Sequence, residues 1–247
     1  MNHFYRKIAI TSVCTALCFA LGANKKAKAA TIILSPATSF GVTDQDRDGL
    51  GDSYYTGTPF HVGLNTTVTQ FPEDRAFYEF NIANLSLAST VISSAIFRVR
   101  FNSVYAGHRY HHIDIFGYLG NGQPDTSDFS RRGYGGGVGA FPGDLSYLDS
   151  ETSIYLTGTG ESGPFPVQKF NFNEDFTVTP FVKELIERNH GFAGFSFRES
   201  SPFSGDATLD NRDATLIITT VPEPTTIFGS ALALGVGGWL KRKKSSQ

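Results

Sequence analysis

The residues best suited to chemistry lie close together in one short run, from Asp44 to Asp52. Carboxylates occupy its first, third, fifth and ninth positions, and a glycine follows the fifth. Hard cations prefer oxygen ligands, and a loop with this spacing can wrap several oxygens around one ion. The pattern predicts a Ca²⁺ site with Asp44, Asp46, Asp48, Asp52 and the backbone carbonyl of Leu50 as ligands. The alternative is a solvated acidic turn.

The same run resembles the D-x-D-x-D-G-x-x-D calcium loops of EF-hand, dockerin and thrombospondin type-3 repeats. It differs at the twelfth position, where Tyr55 stands in place of the bidentate glutamate of an EF-hand, and no helix is predicted beside it. The resemblance therefore implies a calcium loop without a full EF-hand.

Three histidines, His108, His111 and His112, form a second group of candidate metal ligands. On a strand that rises about 3.3 Å per residue, His108 and His112 would stand roughly 13 Å apart. That separation is too large for one ion with bonds of about 2 Å. We expect neutral strand histidines, and His112 with Asp114 is an alternative surface pair.

The sequence carries no motif of a serine hydrolase, a zinc protease or a phosphate-binding loop. Glycosidases need two carboxyl groups at a defined spatial separation, which spacing within loops does not define. We therefore interpret the close acidic pairs as turn and cap residues, and predict no catalytic and no cofactor-binding residue. These pairs are Glu73 with Asp74, Asp125 with Asp128, and Glu174 with Asp175.

A glycine-rich run from Gly133 to Gly139 lies directly after Arg131 and Arg132 and includes Tyr134. It has no lysine and no predicted helix after it, so it does not indicate a phosphate site. Two guanidinium groups and an aromatic ring could hold an acidic sugar by charge and stacking. The alternative is a flexible loop with no ligand.

The charge of the chain is unevenly distributed. Nine of the 21 Lys and Arg residues lie in 1–30 or 241–244, and one of the 23 acids lies beyond residue 222. The body between these ends therefore carries about −10, which argues against a nucleic-acid partner, since that needs a basic face. Both cysteines lie in the first 30 residues, which excludes disulfides, thiol nucleophiles and cysteine metal sites from the body.

The first 29 residues have the features of a signal peptide. Arg6 and Lys7 precede an apolar stretch that runs to Ala23, and Ala27 and Ala29 form a small-residue cleavage site. We expect a signal helix that is cleaved after Ala29. The alternative is an uncleaved membrane anchor.

The last 26 residues, 222–247, have three parts in a fixed order. Pro222, Glu223 and Pro224 come first, a glycine-rich apolar segment covers 227–240, and a Lys/Arg cluster follows. Fourteen helical residues span about 21 Å, less than the roughly 30 Å hydrocarbon core, so the segment predicts a short, marginal transmembrane helix.

This order resembles the PEP-CTERM sorting signal of Gram-negative bacteria that make extracellular polysaccharide. The resemblance implies removal by an exosortase, with the precursor held in the inner membrane through 227–240. It implies an exported protein of the cell envelope or extracellular matrix. The alternative is an ordinary single-pass anchor.

Residues 30–221 show repeated alternation of apolar and polar residues. Polar residues at every second position, such as Glu79 and Asn81, predict strands with one face in water, as in antiparallel sheets. Many short strands without helices between them predict an all-β, antiparallel β-sandwich of jelly-roll type in one domain. The apolar faces are Tyr78, Phe80 and Ile82; Phe97, Val99 and Phe101; Ile113 and Ile115; Ile154 and Leu156; Phe170 and Phe172; Phe195 and Phe197; Leu216 and Ile218.

One short helix is predicted near residues 179–190. Thr179 can cap it, Pro180 suits its first turn, and the run from Asn189 to Gly191 supplies its stop. Its apolar stripe would cover one end of the sandwich. The long connections 120–150 and 157–168 are where we expect function, since rigid sheets present their sites on loops.

Four stretches of the body resemble DNRLRE-type jelly-roll domains, some of which are carbohydrate-binding modules. They are residues 75–82, 91–99, 176–179 and 214–220. The tryptophans of some relatives are missing, because the single Trp is Trp239 in the tail. The resemblance implies a non-catalytic role.

We therefore predict an exported, non-catalytic envelope or matrix protein that binds polysaccharide, with Ca²⁺ at the 44–52 loop. Its partners would be the exosortase, extracellular polysaccharide and, transiently, the inner membrane. The alternatives are a secreted polysaccharide hydrolase or lyase, and a purely structural surface protein.

Overall fold

The computed structural model describes residues 29–57, 59–64, 72–85, 90–106, 111–130, 132–134, 152–161, 167–199 and 205–222. These residues form twelve strands, one α-helix and one 3-10 turn at Thr126–Asp128. In chain order they are β1 Ala30–Leu34, β2 Thr38–Asp44, β3 Ser53–Tyr55, β4 Phe60–Leu64, β5 Glu73–Asn81, β6 Thr90–Ala106, β7 His111–Leu119, β8 Arg132–Tyr134, β9 Thr152–Glu161, β10 Val167–Thr177, α1 Thr179–Glu187, β11 Phe192–Glu199 and β12 Gly205–Pro222.

The chain forms two compact units. The smaller unit comprises 1–31, 87–93 and 219–247, and its described residues are the ends of β1, β6 and β12. Within it, the Ser93 hydroxyl donates to the Thr219 carbonyl at 3.0 Å, and the Thr220 hydroxyl donates to the Ala30 carbonyl at 3.4 Å. The predicted signal peptide lies outside the described residues except for its last residue, as does the sorting signal after Pro222.

The larger unit, 32–86 and 94–218, includes the predicted calcium and glycan residues and the greater part of the sheet. Its strands pair in the order β10-β6-β12-β4-β5-β11-β7-β9-β8, and β2 pairs with β5 and β3 with β2. These pairs are antiparallel where a register is defined, except the parallel pair of β8 and β9. The prediction of a mostly antiparallel all-β body is confirmed.

The sheet bends so that its two halves face each other, consistent with the predicted sandwich. Phe97 on β6 stacks on Phe195 of β11, with ring centroids 4.5 Å apart, although these strands are not neighbours in the sheet. Tyr78 on β5 packs against the same Phe97 ring at 5.8 Å. Offset and edge-on ring pairs of this kind add to the stability that burial of their area supplies.

The predicted alternation holds on β6 but fails on β5. On β6, Phe97, Val99 and Phe101 are buried and Arg98 is exposed. On β5, Glu79 was predicted to face water but is fully buried.

The reason for the failure on β5 is that this half of the sheet is covered on both faces. On its second face, four apolar side chains from other elements pack around Phe77. They are Phe40, Val42, Tyr118 and Phe129. Farther along that face, the buried guanidinium of Arg198 lies 4.4 Å over the Phe116 ring.

The predicted helix is confirmed, with α1 at Thr179–Glu187 and Pro180 in its first turn. Its apolar stripe of Phe181, Val182, Leu185 and Ile186 is buried. Thr179 does not cap the helix as predicted, because its hydroxyl instead accepts the amide of Ala95 at 2.8 Å. Asn189, at φ 58°, ends the helix in the left-handed region.

None of the helices in the described ranges is long and apolar enough for a membrane span.

The predicted pair on β10 is partly confirmed: Phe172 stacks on Phe101 at 5.1 Å, whereas Phe170 is mostly exposed.

Candidate metal centre

The acidic run lies on a β-hairpin. Strands β2 and β3 pair antiparallel from Gly41 opposite Tyr55 to Thr43 opposite Ser53; Asp44 ends β2, and the other acids lie in the connection. The amide of Asp52 donates to the carbonyl of Thr43 at 2.9 Å, which closes the base of the loop. Arg47 and Gly49 take left-handed conformations, with φ of 63° and 88°. These left-handed conformations reverse the direction of the chain. At Gly49 the absence of a side chain makes the conformation favourable.

Asp44 organises the interior of this loop. Its carboxylate is buried, accepting the Arg47 amide on Oδ1 at 2.6 Å and the Gly49 amide on Oδ2 at 2.9 Å. Each carboxylate oxygen can accept more than one bond, so both keep capacity for a further partner. The side chain therefore holds the loop in shape and still presents lone pairs.

The exposed acids of the loop also accept amides of the loop. Asp46 Oδ1 accepts the amide of Asp48 at 3.2 Å, and Asp48 Oδ1 accepts the amide of Leu50 at 2.8 Å. Asp52 Oδ2 accepts the amide of Gln45 at 2.6 Å, from the opposite end of the loop. Local bonds of this kind are what favour aspartate in turns.

Three of the predicted ligands come together. One carboxylate oxygen from each of Asp44, Asp46 and Asp48 lies within 4.8 Å of the others. Two ligands of one Ca²⁺ ion can stand at most about 5 Å apart, because each bond is about 2.3–2.6 Å long. The three carboxylates therefore suit a hard divalent cation without large rearrangement. Asp52 and Leu50, the other two predicted ligands, contribute to the same loop through the bonds described above.

The loop rests on residues far away in sequence. A Cβ atom on Gly51 would stand 2.5 Å from the carbonyl oxygen of Thr126 and 2.9 Å from Cβ of Phe129. Glycine is thus required there by the close approach of residues 120–130, which we name the 120–130 segment. Phe129 is fully buried, and this segment forms the support under the acidic loop.

Arg75 on β5 joins the same support. Its guanidinium donates to the Phe129 carbonyl at 2.5 Å, and its Cζ lies 3.8 Å above the Phe129 ring. The same group binds Glu73 Oε1 at 2.8 Å. Arg75 therefore holds the end of the 120–130 segment against the strand that neighbours the acidic loop.

Sequence reasoning missed Glu79, which lies under the other end of the 120–130 segment. Its Oε2 accepts the amide of Gly122 at 2.6 Å, and its Oε1 accepts the Tyr118 hydroxyl at 3.0 Å. Burial raises the pKa of the Glu79 carboxyl, and the charge of Asp128 adds to that rise; the bonds from the Gly122 amide, the Tyr118 hydroxyl and the Asn121 amide oppose it. No local signal marks Glu79, because it occupies a polar position of an alternating strand.

Two of the predicted glycan residues fall on β8, the last strand of the sheet among the described residues. Arg132 and Tyr134 lie on β8, opposite Thr152 and Ile154 of β9, and their side chains are outside the described residues. Arg131 is outside them as well. Within the described part of the chain, the mostly exposed aromatic side chains are Tyr54 on β3 and Phe170 on β10.

The interpretation of the acidic pairs as turn and cap residues holds for Asp125 but is wrong for Glu73 with Asp74 and Glu174 with Asp175, which lie on β5 and β10. Asp125 Oδ1 accepts the Ser127 amide at 2.9 Å and so caps the 3-10 turn, whereas Asp128 is fully buried. Asp74 accepts the Thr43 hydroxyl at 2.5 Å. Asp175 forms a two-bond ion pair with Arg98 at 2.6 Å for each bond, and this lowers its pKa.

The candidate histidines fall largely outside the described side chains. His111 and His112 begin β7, whose Ile113 and Ile115 are buried as predicted, and His108 lies outside the described residues.

Comparison of this chain with known protein families and with curated proteins finds no match.

Proposed function

We propose that this chain is a non-catalytic protein of the cell envelope or extracellular matrix whose 44–52 loop binds Ca²⁺. The observation that carries the calcium proposal is the meeting of three carboxylates, from Asp44, Asp46 and Asp48, within 4.8 Å on one hairpin loop. Like charges held this close repel one another, and a divalent cation relieves that repulsion. Asp52 and the Leu50 carbonyl would complete the ligand set.

The body is proposed to be a jelly roll that presents polysaccharide-binding residues on its loops and edges. The facing of β6 with β5 and β11 supports a two-layered arrangement. Arg131, Arg132 and Tyr134 are the proposed glycan contacts, on β8 and directly before it, where guanidinium groups and an aromatic ring could hold an acidic sugar by charge and stacking.

Two of the described carboxyl groups are unsuited to act as a general acid. A general acid must reach the substrate within hydrogen-bond distance. Glu79, a carboxyl with a raised pKa, is fully buried, and the Asp175 carboxylate is occupied by Arg98.

Export and sorting are proposed from the two ends of the chain. The signal-peptide pattern of 1–29 and the PEP-CTERM-like tail of 222–247 support an exported precursor. The apolar segment 227–240 would hold it in the inner membrane of a Gram-negative-type cell until an exosortase removes it. Replacement of Pro222, Glu223 and Pro224 by alanine should then leave an unprocessed precursor, and unchanged processing and location would contradict the sorting proposal.

Calcium binding is tested by calorimetry on chelator-treated protein. We expect saturable binding with a dissociation constant of about 1 mM or tighter, the range of extracellular modules. Replacement of both Asp46 and Asp48 by asparagine should abolish the heat, while Glu187→Gln, an exposed acid of α1, should leave it unchanged. No heat from the unaltered protein, or equal heat from the double variant, would contradict the proposal.

Polysaccharide binding is tested with a glycan array and a turnover assay on each glycan retained. We expect retention without cleavage, and its loss when Arg131 and Arg132 are both replaced by serine. Product formation would favour the hydrolase or lyase alternative, and no retention of any glycan would favour the purely structural one.

A further inference from the structure

Glu79 is a fully buried carboxyl group that the proposed calcium site does not use. It lies near the C-terminal end of β5, opposite Thr38 of β2 and Gly194 of β11. Its two oxygens meet the Gly122 amide at 2.6 Å and the Tyr118 hydroxyl at 3.0 Å. One side chain thus joins the sheet to the start of the 120–130 segment.

The 120–130 segment is fitted closely over this carboxyl. A Cβ on Gly120 would stand 2.8 Å from Glu79 Cδ, so a glycine is needed for the approach. Gly122 takes φ of 81°, which side chains rarely adopt, and its amide points at Glu79 as a result. The segment therefore cannot shift without breaking its bonds to Glu79 and losing this close fit.

Among the described residues, two titratable groups act on Glu79 from the elements around it. Asp128 in the 120–130 segment acts on it as a like charge, and Tyr118 on β7 is its titratable neighbour. The strand positions opposite it, Thr38 and Gly194, do not titrate. The bonds from the Gly122 and Asn121 amides and the Tyr118 hydroxyl favour the carboxylate, but removal from water beside a like charge outweighs them, so the surroundings favour the neutral acid.

The same atoms can bind either form of the side chain. When Glu79 is protonated, one oxygen still accepts the Gly122 amide, and its O–H can donate to the Tyr118 hydroxyl, which is both donor and acceptor. When Glu79 is ionised, its hydrogen bonds remain, but the negative charge is held away from water. Ionisation therefore weakens the packed state relative to one in which the segment lifts and water reaches the carboxylate.

We propose that Glu79 is a proton-controlled latch: the protonated side chain holds the 120–130 segment on the sheet, and its ionisation releases that segment. The sign follows from linkage. Because the pKa of Glu79 is raised in the packed state, the latch is fully stabilising below the ordinary glutamate pKa and weakens as pH rises through the raised value. Between the two pKa values, the equilibrium constant for opening should rise up to about tenfold per pH unit.

The test combines two measurements on the protein between about pH 4 and 9. Carboxyl-carbon NMR on glutamate-labelled protein gives the midpoint at which Glu79 ionises. Hydrogen exchange of the 120–130 segment, divided by the intrinsic exchange rate, gives its protection at each pH. We expect a midpoint above those of exposed glutamates and a loss of protection over the same pH range.

Variants separate a latch from general pH sensitivity. Glu79→Gln keeps a neutral side chain of the same shape, so protection should no longer fall with pH; Glu187→Gln on α1 should behave as the unaltered protein does. An ordinary ionisation midpoint for Glu79 would overturn the proposal even if Glu79→Gln does not fold. Protection that is constant with pH, or that falls equally in Glu79→Gln, would overturn it too.

Discussion

The 44–52 loop and the 120–130 segment touch each other through Gly51, yet their acids are used in opposite ways. In the loop, the acids bind amides of the loop itself, at most seven residues away, and Asp46 and Asp48 remain exposed. At the segment, Glu79 and Asp128 are fully buried, and Glu79 binds groups 39 and 43 residues distant. The local bonds of Asp46 and Asp48 leave these carboxylates in water and available to a ligand, whereas Glu79 is buried among distant partners, which raises its pKa.

The largest effect should come from the residue that both regions share. Phe129 is fully buried in the cluster with Phe40, Val42, Phe77 and Tyr118. Phe129→Ala should lower the free energy of unfolding by about 3–5 kcal/mol, since it removes a large core side chain and leaves a cavity. Chemical denaturation measures this. A loss under about 1 kcal/mol would mean that the two regions do not depend on a common support.

Much of the scaffold around these regions could be predicted from local pattern. The alternation on β6 and the apolar stripe of α1 depend on neighbours a few residues away, so both were visible in the sequence. The spacing of Asp44, Asp46 and Asp48 likewise showed which carboxylates a tight turn would bring together, although calcium binding itself stays a prediction.

Glu79 could not be predicted in this way. Its position in an alternating strand indicated a wet face, and what buries it comes from Tyr118 and the 120–130 segment. Likewise, the requirement for glycine at position 51 follows from the Thr126 carbonyl, 75 positions farther along the chain. Contacts at such separation leave no periodic trace, because they depend on which strands become neighbours.

The second prediction tests the contact between the two regions directly. Gly51→Ala should destabilise the protein by about 1–3 kcal/mol, because the added methyl meets a backbone carbonyl that cannot turn aside. Calorimetric Ca²⁺ binding should weaken as well. Gly57→Ala is the matched control, since a Cβ there meets no atom within 4 Å. Equal stability of the two variants would argue that the segment yields freely to the loop.

The third prediction separates the roles of acids within the loop. Without calcium, Asp44→Ala should destabilise the protein by about 0.5–2 kcal/mol, because it removes the acceptor of two amides in a buried position. Asp46→Ala, at an exposed position, should change stability by less than about 0.5 kcal/mol. Both should lose the stabilisation that added Ca²⁺ gives. Thermal unfolding with chelator and with calcium measures each effect, and an Asp46 variant that still gains stability from calcium would exclude that ligand.

The smallest effect concerns the hydroxyl that meets Glu79. Tyr118→Phe should cost about 0.5–1.5 kcal/mol, the net value of a hydrogen bond. Because that bond lowers the pKa of Glu79, its removal should raise the pKa further. A raised pKa in the folded state means stability that is lost as pH rises, so the loss should extend to higher pH in Tyr118→Phe than in the unaltered protein. Denaturation at a series of pH values measures this, with the exposed Tyr54→Phe as control. If both variants show the same pH profile, the Tyr118 hydroxyl does not affect the pKa of Glu79. The buried and exposed acids would then differ in their exposure to water and not in the effect of their hydrogen-bond partners.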